Sequence, residues 1–90
     1  MLSTLEKLIK LARVRKSFPV EGSYTNKLLS DKSLSKAKVL EEVDELIEAI
    51  EKDTNKIHEA ADVFYHLLIY LEANDVKIED VMAELDKRKK

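Results

Sequence analysis

The stretch AADVFYHLLIYL, residues 60–71, constrains the fold more than any other part of this 90-residue chain. With helical spacing it places apolar side chains on nearly every side of one helix, and such a helix is buried on most sides. A chain this short offers few other elements to cover it. We therefore expect two copies of the chain to form a homodimer with an interlocked helical core.

The remaining sequence predicts further helices and one long loop. Residues 17–33 hold the only proline, the only glycine and several Ser, Thr and Asn residues, so they are predicted as the loop. The expected fold class is all-α, a four-helix bundle in a single domain over residues 1–90. Apolar residues at helical spacing predict its helices near residues 2–16, 33–52, 55–73 and 78–89.

Three helix ends carry capping signals. We expect Ser3 or Thr4 to cap the first helix, and Asp53 or Thr54 to cap the third. Asn74 is expected to end the third helix in a left-handed conformation. These residues mark where the predicted helices begin and end.

Composition excludes several classes of function. The chain has no cysteine, which removes disulfides, thiolate metal sites and cysteine nucleophiles. A net charge of −2 provides no basic field for nucleic acid. No apolar run approaches the ~18 residues that span a bilayer, and the first residues lack the apolar core of a signal peptide. We expect a cytoplasmic protein without nucleic-acid or membrane partners.

The segment KVLEEVDELIEAI, residues 38–50, crowds acids onto one helix, although like charges three or four residues apart repel. Glu42 and Glu45, spaced i, i+3, border the apolar stripe of that helix. Glu59 and Asp62 repeat the spacing at the start of the apolar third helix, and His66 follows one turn later. Carboxylates are rarely buried unless they are paired or bind a metal.

Two interpretations of these acids stay open. If the two helices run antiparallel, the acid pairs face each other and form an oxygen cage that suits Mg²⁺ or Mn²⁺. Alternatively, the acids form a solvated face, as is common on helices rich in Glu and Lys. Asp62 favours the cage, because it lies about two turns into its helix, beyond the reach of the N-terminal dipole. Basic residues that could bind phosphate nearby are Lys38, Arg13, Arg15, Lys16, Lys27 and Lys36.

The motifs resemble those of a known family. EEVDE (41–45) followed by EAAD (59–62) resembles the EExxE…ExxD signature of the all-α nucleoside triphosphate pyrophosphohydrolases, the MazG-like superfamily. Within it, the chain resembles the phosphoribosyl-ATP pyrophosphohydrolases from about residue 5 to residue 88. The segments that carry this resemblance, in order, are EGSYTNKLL (21–29), KVLEEVDE (38–45), HEAADVFYHLLIYLEAND (58–75) and IEDVMAELDKR (78–88).

The resemblance implies a helical homodimer that requires Mg²⁺ and hydrolyses the α–β phosphoanhydride of phosphoribosyl-ATP. The products are phosphoribosyl-AMP and pyrophosphate, in the second step of histidine biosynthesis. The residues that match the family's metal-binding acids are Glu42, Glu45, Glu59 and Asp62. Glu41 matches the first acid of the signature, which implies that it binds a second ion or positions water. We expect Glu41 or Glu45 to order or deprotonate the attacking water. The positions implied to bind substrate are Ser23, Tyr24, Thr25, Lys38 and His66.

The sequence departs from the family pattern in two places, and alternative functions stay open. The loop before Lys38 is about one residue shorter than in most bacterial relatives, and Leu40 stands where they have glycine. A MazG-like house-cleaning enzyme for ordinary or damaged nucleoside triphosphates would carry the same acids, although EGSYTNKLL argues against it. A dimeric helical interaction module without activity is the third interpretation. A transient contact with phosphoribosyl-AMP cyclohydrolase, the next enzyme, is a further expectation from the family.

Overall fold

The computed structural model describes residues 2–89, which form five α-helices and no strand. The predicted all-α class is therefore confirmed. The four longer helices agree with the predicted ones to within two residues at either end. In chain order the helices are α1 (Ser3–Ser17), α2 (Tyr24–Ser30), α3 (Lys32–Lys52), α4 (Lys56–Ala73) and α5 (Ile78–Lys87).

The prediction of one loop over residues 17–33 is wrong in its second half, where the short helix α2 forms. Ser23 is its N-cap, and the Ser23 hydroxyl accepts a hydrogen bond from the backbone N–H of Asn26 at 3.3 Å. Leu28 is fully buried against Ala12 and Ile69. Helices this short depend on tertiary packing rather than on intrinsic propensity, so the local sequence pattern does not reveal them.

The predicted caps are also wrong, because neighbouring residues take their places. α1 begins after Leu2 without a side-chain cap, so neither Ser3 nor Thr4 serves. Asp53 ends α3 in the left-handed region instead of opening α4, and Asn55 precedes α4 without a capping bond.

The end of α4 differs in the same way. Asn74 has φ −104°, and the left-handed residue is Asp75, with φ 57°. The side-chain amide of Asn74 donates to the carbonyl of Tyr70 at 2.8 Å. Capping preferences therefore located the helix ends but not the residue that adopts each special conformation.

α4 is the central element, and the other four helices pack against it. α3 and α4 form a helical hairpin joined by Asp53–Asn55, and the α3–α4 interface is the largest in the chain. The core is small. Its main cluster contains the buried Ala12, Leu28 and Ile69, with partly buried Leu8, Leu29, Leu34 and Tyr65 around them. Ala49 and Ala73 are buried as well.

A single chain covers α4 on only one side. Ile69 is completely buried, whereas Phe64 is 56% exposed and Leu67 is 40% exposed. The expectation that a second copy covers the open side stays a prediction. None of the helices described over residues 2–89 is both long and apolar enough to cross a membrane.

One arginine joins three helices at the end of the molecule away from the α3–α4 link. Arg13 on α1 donates to the Glu72 carboxylate on α4 at 2.9 Å, and its other nitrogens bind Glu79 on α5 at 2.6 and 2.7 Å. The hydrogen bonds from Arg13 lower the pKa of Glu79 to about 2. Glu72 is only 7% exposed, so this contact supplies a partner to a buried carboxylate.

Replacing Arg13 should therefore destabilise the fold. We expect Arg13→Met to lower the unfolding temperature by more than about 5 °C, because it leaves the Glu72 carboxylate buried without its charged partner. Lys52→Met is the control, since it removes an exposed pair with Glu48 and should cost less than about 2 °C. Thermal unfolding at equal protein concentration measures both, and equal shifts in the two variants would contradict the role of Arg13.

Candidate active site

The acids of α3 form a compact group. Glu41, Glu42 and Glu45 each place a carboxylate oxygen within 4.8 Å of the others. Glu42 is 6% exposed, whereas Glu41 and Glu45 are exposed. The i, i+3 and i, i+4 spacing of these residues puts all three on one side of the helix, as the sequence predicts.

The acids of α4 form a second group, which includes one residue that the sequence did not single out. Glu59 and Asp62 lie with His58, and one possible ligand atom from each falls within 4.8 Å of the others. The His58 Nε2 atom is 3.3 Å from the Asp62 carboxylate. The i, i+4 spacing of His58 and Asp62 is the signal that could have identified this histidine.

The two groups meet at Glu45. Desolvation and the negative charges of the nearby Glu42 and Glu59 carboxylates raise the pKa of Glu45 to about 7. Like charges that share a site disfavour ionisation, which is the physical cause of the shift from Glu42 and Glu59. The structure thus brings together carboxylates of α3 and α4, the arrangement that an oxygen cage requires.

Two buried oxygens of this cluster have no hydrogen-bond partner within residues 2–89: Oε2 of Glu42 and Oε2 of Glu59. A buried carboxylate oxygen without a partner is costly, and native proteins rarely leave one unsatisfied. A bound divalent cation is one kind of partner that such an oxygen can have. Because the surrounding donors are mainly carboxylate oxygens, these residues fit Mg²⁺ or Mn²⁺.

Lys38 lies at the edge of the acid cluster, where the sequence places it. Its Nζ atom is 3.0 Å from Oε2 of Glu41 and 3.5 Å from Oε1 of Glu42. The hydrogen bond to Glu41 raises the pKa of Lys38, so the ammonium stays charged. A lysine in this position can bind a phosphate oxygen next to a metal site.

Tyr24 and His66 extend the site away from the acids. Nδ1 of His66 is 2.8 Å from the carbonyl oxygen of Asp62, and Nε2 is 3.0 Å from the Tyr24 hydroxyl. A carbonyl only accepts, so Nδ1 carries the hydrogen, and in neutral His66 the Nε2 atom accepts from Tyr24. The oxygen of Tyr24 is therefore left to accept hydrogen bonds from a bound ligand. His66 is buried and contacts the Asp62 backbone rather than its carboxylate.

Ser23 and Thr25 flank Tyr24 but differ in their surroundings. The Ser23 hydroxyl oxygen accepts hydrogen bonds from the Arg15 guanidinium at 2.7 Å and from the backbone N–H of Asn26. The hydroxyl hydrogen of Ser23 is therefore free to donate to an anionic oxygen. Thr25 is buried and bonds to the Tyr65 hydroxyl at 2.6 Å. Thr25 thus holds α2 against α4, while Ser23 and Tyr24 lie nearer the surface.

Among the basic residues suggested by sequence, the structure separates two groups. Arg13 and Lys16 are engaged by the carboxylates of Glu72, Glu79 and Asp75, at the other end of α4 from the acid cluster. Arg15, in contrast, contacts Ser23 next to Tyr24. Proximity in sequence does not distinguish these residues, because consecutive positions of α1 point in different directions.

Neutralising one carboxyl of the cluster should stabilise the metal-free protein. A carboxyl group with pKa about 7 in the folded state and an ordinary value of 4.5 binds more protons when folded, so the free energy of unfolding falls as pH rises between those values. We therefore expect metal-free Glu45→Gln to unfold at a higher temperature than the wild type at pH 8, with the difference largely gone at pH 5. Thermal unfolding in a chelator measures this.

Glu48→Gln is the matched control on the same helix. Its hydrogen bond with Lys52 lowers the pKa of Glu48, so its removal should not stabilise the protein at pH 8. A lower unfolding temperature for Glu45→Gln at pH 8 would contradict the crowding of carboxylates.

Comparison with known proteins gives a match over nearly the whole chain. Residues 2–89 match the family model described as phosphoribosyl-ATP pyrophosphohydrolase. A phosphoribosyl-ATP pyrophosphatase of Clostridium acetobutylicum is 46% identical over 89 residues, which cover 93% of this chain and 79% of that protein. The corresponding protein of Cereibacter sphaeroides is 41% identical, with coverage of 97% and 87%.

A longer relative also matches. The histidine biosynthesis bifunctional protein HisIE of Pyrococcus furiosus is 43% identical over 90 residues, which cover 99% of this chain. The chain spans only 43% of that relative's length. The similarity therefore covers less than half of the bifunctional protein and most of each of the two pyrophosphatases.

Proposed function

Since the chain belongs to the phosphoribosyl-ATP pyrophosphohydrolase family, we propose that it hydrolyses phosphoribosyl-ATP to phosphoribosyl-AMP and pyrophosphate, a step of histidine biosynthesis. The observation that supports this proposal is the pair of acid groups on the packed helices α3 and α4, with Lys38 beside Glu41 and Glu42. The substrate is a polyphosphate, and a phosphoanhydride needs positive charge around its oxygens to be cleaved. The acids suit a cation, and Lys38 supplies an ammonium group.

Glu42, Glu45, Glu59 and Asp62 are the residues that we propose to hold Mg²⁺. When bound, this ion supplies the positive charge that neutralises phosphate oxygens as the anhydride breaks. The unpartnered oxygens of Glu42 and Glu59 support this assignment, because they are buried ligand atoms without another role. Asp62 joins the set through its proximity to Glu59.

The remaining groups bind and orient the substrate. Lys38 attracts a phosphate oxygen, and the free hydroxyl hydrogen of Ser23 can donate to another. Tyr24 presents an acceptor, held in place by His66, to a hydroxyl or amino group of the nucleotide. Their different hydrogen-bonding characters suit a ligand that has both anionic and neutral polar parts.

The reaction needs one proton acceptor for the attacking water. The water oxygen bonds to phosphorus, the bond between the α and β phosphates breaks, and the water proton passes to a carboxylate. Glu41 and Glu45 are the proposed acceptors. Glu41 is exposed and only its Oε2 is engaged by Lys38, and Glu45 lies about one turn further along the same side of α3.

An assay of purified protein tests the proposal. We expect pyrophosphate release from phosphoribosyl-ATP with Mg²⁺, little release in a chelator, and weak release from ATP, GTP and other simple nucleoside triphosphates. Glu45→Gln and Asp62→Asn should each reduce the rate by about 10²-fold or more and weaken Mg²⁺ binding measured by calorimetry. Glu41→Gln should lose activity yet keep its Mg²⁺ affinity if Glu41 is the base.

Glu48→Gln is the control for this assay. Glu48 lies on the same helix but pairs with Lys52, so the variant should keep both activity and Mg²⁺ affinity. Broad hydrolysis of simple nucleotides would instead indicate a house-cleaning enzyme. No hydrolysis of any substrate would leave only a helical interaction module.

We further propose that two copies of the chain associate through an apolar stripe on the α3–α4 hairpin. On α3 the stripe follows the spacing i, i+3, i+7, i+10, and all its members are at least 37% exposed: Leu40, Val43, Ile47 and Ile50. On α4 two further large apolar residues, Phe64 and Leu67, are also exposed. Monomeric soluble proteins rarely expose large contiguous apolar patches.

A second copy is the proposed occupant because a helical hairpin with such a stripe can pair with the same stripe about a two-fold axis. Pairing would bury the open side of α4 and enlarge a core that contains few fully buried side chains. The family resemblance implies the same homodimer. The location in the cytoplasm stays a prediction from the sequence, and the transient contact with phosphoribosyl-AMP cyclohydrolase stays a prediction from the family resemblance.

Ile47→Asp tests the stripe, since it places a charge at its centre. We expect the wild type to sediment as a dimer in analytical ultracentrifugation and Ile47→Asp to sediment as a monomer. Val14→Asp is the control, because Val14 is 54% exposed on α1, outside the stripe, and should leave the dimer intact. A monomeric wild type would contradict the proposed assembly.

A further inference from the structure

The loop between α1 and α2 carries the chain into the substrate-binding segment but has little apolar anchoring. Phe18 is 74% exposed and Val20 is 47% exposed. Gly22 has φ +80° in a turn closed by a hydrogen bond from Ser23 N–H to the Val20 carbonyl at 3.1 Å. Glycine adopts this conformation without strain, and it has many other conformations available. The loop must therefore be held by polar contacts.

One side chain supplies these contacts at both ends. The side-chain amide nitrogen of Asn26 donates to the backbone carbonyl of Arg15 near the end of α1, at 2.8 Å. Its amide oxygen accepts from Val20 N–H in the loop, also at 2.8 Å. The Asn26 backbone N–H donates to the Ser23 hydroxyl, which also accepts from the Arg15 guanidinium. Helix end, loop and α2 are thus joined in one closed set of hydrogen bonds.

We propose that Asn26 is a positioning residue that fixes the loop over residues 18–23 and thereby holds Ser23 and Tyr24 where the substrate binds. This inference rests on the proposed function of the site. Asn26 contacts neither the acid cluster nor its lysine. Its loss should therefore weaken substrate binding and leave the chemical step and the binding of Mg²⁺ almost unchanged.

Asn26→Ala tests the proposal with kinetics and hydrogen exchange. We expect the KM for phosphoribosyl-ATP to rise about tenfold, the scale of one or two lost hydrogen bonds, while kcat changes less than twofold. Mg²⁺ affinity measured by calorimetry should stay the same. Amide exchange at Val20 should become at least about tenfold faster, because its acceptor is gone.

Two further variants separate positioning from general loss of stability. Asn74→Ala removes the same kind of bond, from an asparagine amide to the Tyr70 carbonyl, away from the loop, and should leave KM unchanged. Asn26→Asp keeps an oxygen for Val20 N–H but cannot donate to the Arg15 carbonyl. It should protect the Val20 amide more than Asn26→Ala does while still raising KM.

Two results with Asn26→Ala would overturn the proposal: unchanged amide exchange at Val20, or faster amide exchange with an unchanged KM. An equal rise of KM in Asn74→Ala shows a general effect and also overturns it. If the wild type does not hydrolyse phosphoribosyl-ATP, the proposed function fails, whereas the exchange measurement still decides whether Asn26 holds the loop.

Discussion

The crowding of carboxylates between α3 and α4 is the interaction on which the site depends. Packing of the hairpin forces Glu42, Glu45 and Glu59 together, and the cost appears as the raised pKa of Glu45 and as buried oxygens without partners. Lys38 offsets part of this charge from one edge. The proposed cation would relieve this repulsion and stabilise the folded state, since a ligand that binds the folded state alone shifts the folding equilibrium.

α4 connects this site to the rest of the molecule. Its first turns carry Glu59 and Asp62, its middle carries His66 and the buried Ile69, and its last turn carries Glu72 in contact with Arg13. Each segment of the helix thus faces a different partner. This explains a sequence that looks apolar on all sides: one side packs within the chain, and the other stays open for the proposed second copy.

Hydrogen bonds hold the side of the site that is proposed to bind substrate. Tyr24 is held by His66, Thr25 by Tyr65, and Ser23 by Arg15 and Asn26. The Asp62 carbonyl fixes the tautomer of His66, and this tautomer sets the direction of the hydrogen bond between His66 and Tyr24. Asp62 is itself a member of the acid group. The groups proposed to bind substrate and those proposed to bind metal are therefore linked through α4.

The sequence by itself determined the all-α class, the four longer helices and the side of α3 and α4 on which the acids lie. Those features follow from local spacing, because helical periodicity depends on residues only three or four apart. Only the tertiary structure decided that the two acid groups meet at Glu45, that His58 joins them and that Arg15 rather than Arg13 lies near Ser23. It also decided that α2 is helical and that Asp75 rather than Asn74 is left-handed. Those features depend on contacts between residues far apart in the chain, or on small energy differences among neighbouring residues, and neither is encoded in local spacing.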